Sequence, residues 1–451
     1  MSSPWRLRGP VLAAYAINGF SLASWNVRLP AIAETAGLDT GELGRFLMAG
    51  AIGTLVTIPL TGRWVARWGE ARVYLTATIG FVFAYLALGL ALQTASVAPL
   101  FAAHALHGAV FAATNVPQSV LGTIAEARVG RSILSQFHAA YSIAAAAGAA
   151  AGGVAATAGM PPDLQFVALA VVALAGRGAV SLTLRHAPSM PTPSTDPSRR
   201  SADASHSGAT PSGSGARPVR AWRDSQVLLL GLVVFGAALS EGAANNWVTP
   251  TLVENFPISE GAAATAVSVF LIAQTIGRLA GGRFVDRVGP KVTLIVSGLV
   301  ATAGIVAFSS AQALWVCWIA VAVWGLGAAL SLPVAVSVVA RGPNAAHRIA
   351  AVASLSSLAN VAGPPLIGAA ADFIGLRWAL GSLTVILLSG VLAARFAVRP
   401  PTPAVAALAA SAAVSASAVT SASVASASDS ATSVPTPRAT EESRSVNRNT
   451  A

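Results

Sequence analysis

Apolar runs of about twenty residues, separated by short polar breaks, recur along the chain as far as Val398. In the first half they lie at roughly 10–33, 44–64, 72–92, 98–125, 134–158 and 164–185. In the second half they lie at roughly 225–250, 261–282, 291–310, 314–340, 348–370 and 377–398. At about 1.5 Å per helical residue each run matches the ~30 Å hydrocarbon core of a bilayer. The pattern therefore predicts an all-α membrane protein with twelve transmembrane helices, six in each of two bundles spanning residues 1–186 and 225–398. Two stretches break the pattern. Residues 187–224 are rich in Pro, Ser, Gly and Arg, and residues 399–451 are mostly Ala, Ser, Val and Thr. Neither carries enough large apolar side chains to offset the entropy of ordering it, so both read as disordered, one a linker and one a tail.

Composition agrees. The 451 residues are 54% hydrophobic and 10% charged, and their mean hydropathy is +0.66. A soluble domain carries about 25% charged residues, so most of this chain has no aqueous surface to cover. The net charge of +11 could suggest nucleic acid, but the basic residues fall in short clusters between apolar runs. Arg63, Arg67 and Arg72 follow the second run, Arg128 and Arg131 the fourth, and a cluster from Arg185 to Arg223 the sixth. Arg278, Arg283, Arg287 and Lys291 surround the eighth-to-ninth connection, while the opposite connections hold only Arg28, Arg45 and Arg377. By the positive-inside rule both termini, the linker and the tail are cytoplasmic, and the protein belongs in the cytoplasmic (inner) membrane. The first run, behind Arg6 and Arg8, reads as a retained helix and not a leader. The single cysteine, Cys317, rules out an intrachain disulfide and a cysteine metal site.

The halves repeat each other. "TGRWVARWGEARV" after the second run matches "GGRFVDRVGPKV" after the eighth, with Gly62 falling on Gly282, an offset of 220 residues. The same offset aligns "NVRLPAIAE" with "NWVTPTLVE", pairing Asn26 with Asn246, Pro30 with Pro250 and Glu34 with Glu254. Two parallel repeats joined by a long linker fit a transporter whose site lies at mid-membrane between them. The second copy, with Gly282, Asp286, Arg287, Gly289 and Lys291, resembles the G-x-x-x-D-R-x-G-x-K signature of the major facilitator superfamily. The first copy keeps Gly62, Arg67, Gly69 and Arg72 but carries Ala66 in place of the family's Asp. The resemblance covers about residues 10–398 and implies the major facilitator fold, alternating access, and a cytoplasmic gate made by these residues with Arg63 and Arg283. The alternative is that the arginines only set topology. The glycines are expected to permit a tight turn and a close helix approach. "SEGAANNW", "FHAAYS" and "WGLGAALSLP" further resemble a bacterial branch that includes proteins linked to uptake of rhizopine, an amino-inositol.

An ionisable side chain near the bilayer centre costs at least about 2.5–3.5 kcal/mol and is a functional candidate by default. Glu241, in "LSEGAANNW", is the one acid well inside an apolar run, and Asn245 shares its helical face. Lacking a cationic partner, Glu241 is expected to take up protons in the working pH range and so couple transport to them; a merely structural hydrogen bond is the alternative. Asn246 and Trp247 follow, the indole either stacking on a ligand or anchoring at the interface. On the fourth run His104, His107, Asn115 and Gln118 form a stripe, with His104 near the outer end in reach of solvent. His138 and Tyr141 on the fifth run, Asn360 on the eleventh, and Asn18, Trp25 and Asn26 on the first complete the candidate binding residues, with Arg28 nearer the rim. Any single amide is as readily interhelical glue as ligand contact. Arg177 is expected to snorkel to the cytoplasmic end and is given no role.

No P-loop, metal-ligand cluster or nucleophile elbow occurs, so neither an enzyme nor a cofactor is expected. Three functions remain: a proton-coupled carrier of a sugar, polyol or amino-polyol; a proton-driven exporter of amphiphiles; and a non-transporting sensor. The exporter's support is "GAAAGG", where Gly148, Gly152 and Gly153 keep the spacing of an antiporter motif, though helix packing would also explain them. The expected partners are a small-molecule solute, protons and bilayer lipids, with no nucleic acid, and the protein is taken as a monomer.

Overall fold

The computed structural model describes residues 7–94, 96–129, 133–184, 223–340 and 344–398. The expectations of disorder for 187–222 and 399–451 lie outside them. Every regular element among the described residues is helical. The first half holds α1 (Arg8–Asn26), α2 (Leu29–Ala36), α3 (Thr40–Trp68), α4 (Glu70–Leu92), α5 (Val97–Val129), α6 (Leu134–Thr157), α7 (Pro162–Val172) and α8 (Gly178–Leu184). The second holds α9 (Ser225–Asn255), α10 (Glu260–Ser310), α11 (Leu314–Ala328), α12 (Ser331–Ala340), α13 (Ala345–Ile374) and α14 (Leu376–Ala397). Ten helical segments among the described residues are long and apolar enough to cross a membrane.

Helix starts follow local chemistry. Asp39 and Glu42 form a reciprocal capping box at the start of α3. Ser259 caps α10, and Asp224, which the sequence put at the end of the linker, caps α9 and pairs with Arg348. The 51 residues of α10 would be about 76 Å long if straight, far beyond a bilayer, but the helix breaks at Gly289 (φ 79°, ψ 164°). Gly69, between α3 and α4, has nearly the same backbone (φ 80°, ψ 158°). The two signature glycines 220 residues apart thus make the same abrupt turn, in a region that other residues enter at a cost of about 1–3 kcal/mol. Gly62 and Gly282 differ: an added Cβ meets nothing within 4 Å, so the expected close helix approach is absent there. Gly69→Ala and Gly289→Ala should each lower the melting temperature in detergent, whereas Gly62→Ala and Gly282→Ala should leave it unchanged or higher, since alanine is the better helix former.

Three apolar runs hold breaks that hydropathy does not reveal. The run at 10–33 divides at Val27–Arg28, because Pro30 starts a new helix in its first turn. The run at 164–185 contains a π-helical turn at Ala173–Arg177, and the run at 314–340 is interrupted between α11 and α12.

The halves meet mainly where α3 packs on α13 and α6 on α10. These contacts gather at one end. A Cβ on Gly41 would collide with Asp372, one on Gly44 with the Pro364 carbonyl, and one on Gly261 with Thr157 and Gly153. Gly41 and Gly261 are themselves 220 residues apart, so each half presents the equivalent glycine to the other. Arg28 fastens this end: its Nε donates to Glu260 Oε2 at 2.8 Å, Nη1 to Gln165 Oε1 at 2.6 Å, and Nη2 to the Met160 carbonyl at 2.8 Å. Glu260 Oε1 also accepts from the Ala31 amide at 3.1 Å. Among the described residues this is the one ion pair joining the halves. At the Gly69/Gly289 end, Arg63, Arg67, Arg72, Arg283, Asp286, Arg287 and Lys291 are all exposed. No ion pair among the described residues engages them.

Candidate functional site

The closed end caps a central cavity with two continuous parts. The deeper part, about 260 Å³, is lined by Trp25, Asn26, His104, His107, Asn246 and Gln274 among others. The wider part, about 440 Å³, runs past Leu55, Ile58, Leu332 and Ser356 toward the Gly69/Gly289 end. Both parts share Tyr141, Glu241, Gly242, Asn245 and Asn360.

Helix geometry delivers these groups. Glu241 and Asn245 are one turn apart on α9, and Asn245 Nδ2 donates to the Glu241 carbonyl at 2.9 Å, leaving its amide oxygen for the cavity. Gly242, between them, leaves open space beside Asn360: a Cβ there would stand 3.6 Å from Asn360 Oδ1. The repeat-related amides Asn26 and Asn246 meet across the halves, Asn26 Nδ2 donating to Asn246 Oδ1 at 3.1 Å.

Glu241 is not alone, contrary to the reading from sequence. Arg278 Nη2 donates to Glu241 Oε1 at 3.3 Å, and Arg278 Nη1 donates to Ser142 Oγ on the first half at 3.2 Å. The sequence counted Arg278 only with the topology-setting arginines. It lies one turn inside α10 from Gly282, and its long side chain reaches back along the helix into the cavity. Both charged side chains stay about a third exposed, 32% and 31%.

His104 also departs from expectation. It is buried, stacked on Phe46 with ring centroids 4.2 Å apart, and it meets the Trp25 edge at 5.1 Å. His107 meets the same indole at 5.4 Å and stacks on His104 with ring centroids 5.7 Å apart. Both line the deep part, because packing of α3 against α5 through Gly50 and Gly108 covers the helix end that hydropathy leaves near water.

Five candidate residues lie away from the cavity. Asn18 Nδ2 donates to Asn115 Oδ1 at 3.1 Å and to Gln118 Oε1 at 2.7 Å, so these three amides are tied to one another between α1 and α5, with Asn18 Oδ1 left buried and unpartnered. Asn18→Leu should therefore lower stability by about 1–3 kcal/mol in denaturation while leaving ligand affinity at its wild-type value. His138 is exposed and faces Tyr15 edge-on at 5.3 Å. Trp247 is fully buried beside a void of about 20 Å³, which overturns the interfacial anchor. Arg177 does not snorkel: the π-helical turn carries it into the first half, fully buried, with its guanidinium 3.9 Å from the centre of the Phe81 ring. Gly148 and Gly152 pack against the Phe20 and Ser24 carbonyls of α1, and Gly153 against Gly261. Helix packing thus accounts for the glycines of "GAAAGG".

Comparison with known proteins fixes the family. The sequence profile of the Major Facilitator Superfamily matches residues 11–240 and 230–437. The chain belongs to this superfamily. It is a multi-pass membrane protein and a secondary transporter, not an enzyme. Among its relatives, an uncharacterised MFS-type transporter of Yersinia pestis is 28% identical over 393 residues, covering 86% of this chain and 94% of that one. Membrane protein MosC of Rhizobium meliloti is 24% identical over 382 residues, covering 84% and 86%. Among solved structures, the nucleoside transporter NupG superposes with a TM-score of 0.68 at 12% identity, covering 88% of this chain and all of that one, a likeness of fold alone.

Proposed function

We propose that this transporter moves a small polar solute of the sugar, polyol or amino-polyol type across the cytoplasmic membrane by alternating access, coupled to protons through Glu241. The observation that carries this reading is a cavity between the halves that gathers four amides and a charged pair within a largely apolar wall, sealed at the Gly41/Gly261 end and widening toward the Gly69/Gly289 end. Amides from Asn26, Asn245, Asn246 and Asn360 offer hydroxyl-binding groups, and Trp25 and Tyr141 offer aromatic faces. Such a mixture suits a compact hydroxylated solute better than a bulky amphiphile. Counting the two rods of α10 separately and adding α1 to the remaining long segments gives twelve spans in two sixes. With both termini cytoplasmic, the conformation is inward-open, and the exposed charges around Gly69 and Gly289 form a gate that is disengaged in this state.

The test is a thermal-stability screen of the purified protein, since a ligand that binds the native state raises its melting temperature. One panel holds sugars, inositols and amino-polyols, the other cationic amphiphiles. A saturable shift with one polyol-type solute, lost in Asn245→Leu, supports the carrier. Shifts confined to several unrelated amphiphiles support the exporter instead.

A further inference from the structure

The Glu241–Arg278 pair carries a statement about the solute that amides and aromatic faces cannot. It rests on the carrier reading above. The pair is a single contact of 3.3 Å, not the two-pronged fork that guanidinium and carboxylate make when they are each other's main partner. Arg278 is also held by Ser142 from the opposite half, so it does not depend on Glu241 for its position. Among the described residues Glu241 is the only carboxylate lining either part of the cavity. The other titratable or charged groups that line the cavity or face the pair are Tyr141 and His138 on α6, His104 and His107 on α5, and Arg278 itself. None of these supplies a second negative charge near neutral pH.

The charge balance follows. With Glu241 ionised the pair is neutral and internally satisfied. With Glu241 protonated, the guanidinium is left without its counter-ion, facing the cavity and free to donate a charge-assisted hydrogen bond to an entering anion. We infer that the transported solute is itself an anion, a hydroxylated carboxylate whose acid group takes the place of ionised Glu241 on Arg278. One proton and one carboxylate then enter together, and the charge within the cavity is the same with the site full as with it empty. The deep end also holds unpartnered buried polar atoms of both kinds, the donors Trp25 Nε1 and Gln274 Nε2 and the acceptor Asn26 Oδ1, with one ring nitrogen each of His104 and His107, which suits a solute carrying hydroxyls beside its acid group. The cavity's volume suits a six-carbon sugar acid, with the hydroxyls on Asn245, Asn246 and Asn360.

Matched pairs of neutral and acidic solutes test this: sorbitol with gluconate, glucose with glucuronate, galactose with galacturonate. Binding to the full chain is followed by thermal shift at about pH 5.5 and about pH 8, where the sugar acids remain ionised throughout. The expected result is a saturable shift with one acid and not with its neutral partner. Its affinity should be tighter at the lower pH, because binding of the carboxylate is accompanied by uptake of one proton. In Glu241→Gln, which mimics the protonated carboxyl, the acid should bind equally tightly at both pH values. In Arg278→Gln its binding should be lost, and Arg278→Lys should restore part of it. A neutral partner that binds as well as the acid, or an acid that binds more tightly at the higher pH, overturns the inference and leaves the carrier reading standing. Stabilisation by amphiphiles alone overturns both.

Discussion

Glu241→Gln should abolish proton-driven accumulation in proteoliposomes while retaining solute binding and exchange. The carboxyl faces the cavity about a third exposed and has Arg278 as its ionic partner, so gain or loss of one proton changes which group satisfies the guanidinium. A glutamine fixes the neutral state. The cavity can still fill and empty, but the cycle has no proton to carry, so a pH gradient does no work on the solute. Accumulation at equilibrium should fall from the gradient-driven level, about tenfold per pH unit for one coupled proton, to none. Unimpaired accumulation by this variant would remove Glu241 from coupling.

Breaking the Arg28–Glu260 pair should have the second large effect. Removing one partner of a buried pair strands the other and costs about 3–5 kcal/mol. Arg28 is 5% exposed and its guanidinium is fully engaged, so Glu260→Gln leaves a buried cation facing an amide. The pair joins the halves at the Gly41/Gly261 end, so its loss should favour opening there. A cysteine placed at Asn246, just inside that end, reports the change through its labelling rate with a membrane-impermeant thiol reagent. The rate should rise more than about tenfold with Glu260→Gln, and Arg28→Gln combined with Glu260→Gln should restore part of the closure because no charge is left stranded. An unchanged rate in Glu260→Gln would mean that the glycine contacts alone hold this end shut.

Much of this molecule is legible in its apolar pattern, because the bilayer constrains segment length and polarity so tightly. The turns at Gly69 and Gly289 were legible too, since both copies keep the glycine. The equivalent pair Gly41 and Gly261 was missed, because "LDTGELG" and "ISEGAAA" share little but that glycine, and its value lies in contact with the opposite half. The divided run at Val27–Arg28 and the π-helical turn before Gly178 escaped because hydropathy averages over backbone detail. Cavity-lining residues were legible where a polar group interrupted an apolar run, as with Glu241, Asn245 and Asn360. Arg278 was not, because an arginine near the end of such a run looks like a topology marker until its side chain is seen to reach inward. A signal was present: the cluster's other members, Arg283, Arg287 and Lys291, all lie beyond the predicted run, and Arg278 lies inside it. Asn18, Asn115 and Gln118 showed the reverse error, since three amides bonded to one another look in sequence like three open ligand contacts.

Transport itself is tested most directly by flux. Full-length protein and a 1–398 truncation would be reconstituted, and uptake of the solute identified by thermal shift would be followed with and without an imposed pH gradient. Gradient-driven accumulation by both proteins, lost in Glu241→Gln, is the expected result. Saturable binding with no flux in either protein under any gradient would contradict the carrier and favour a membrane sensor.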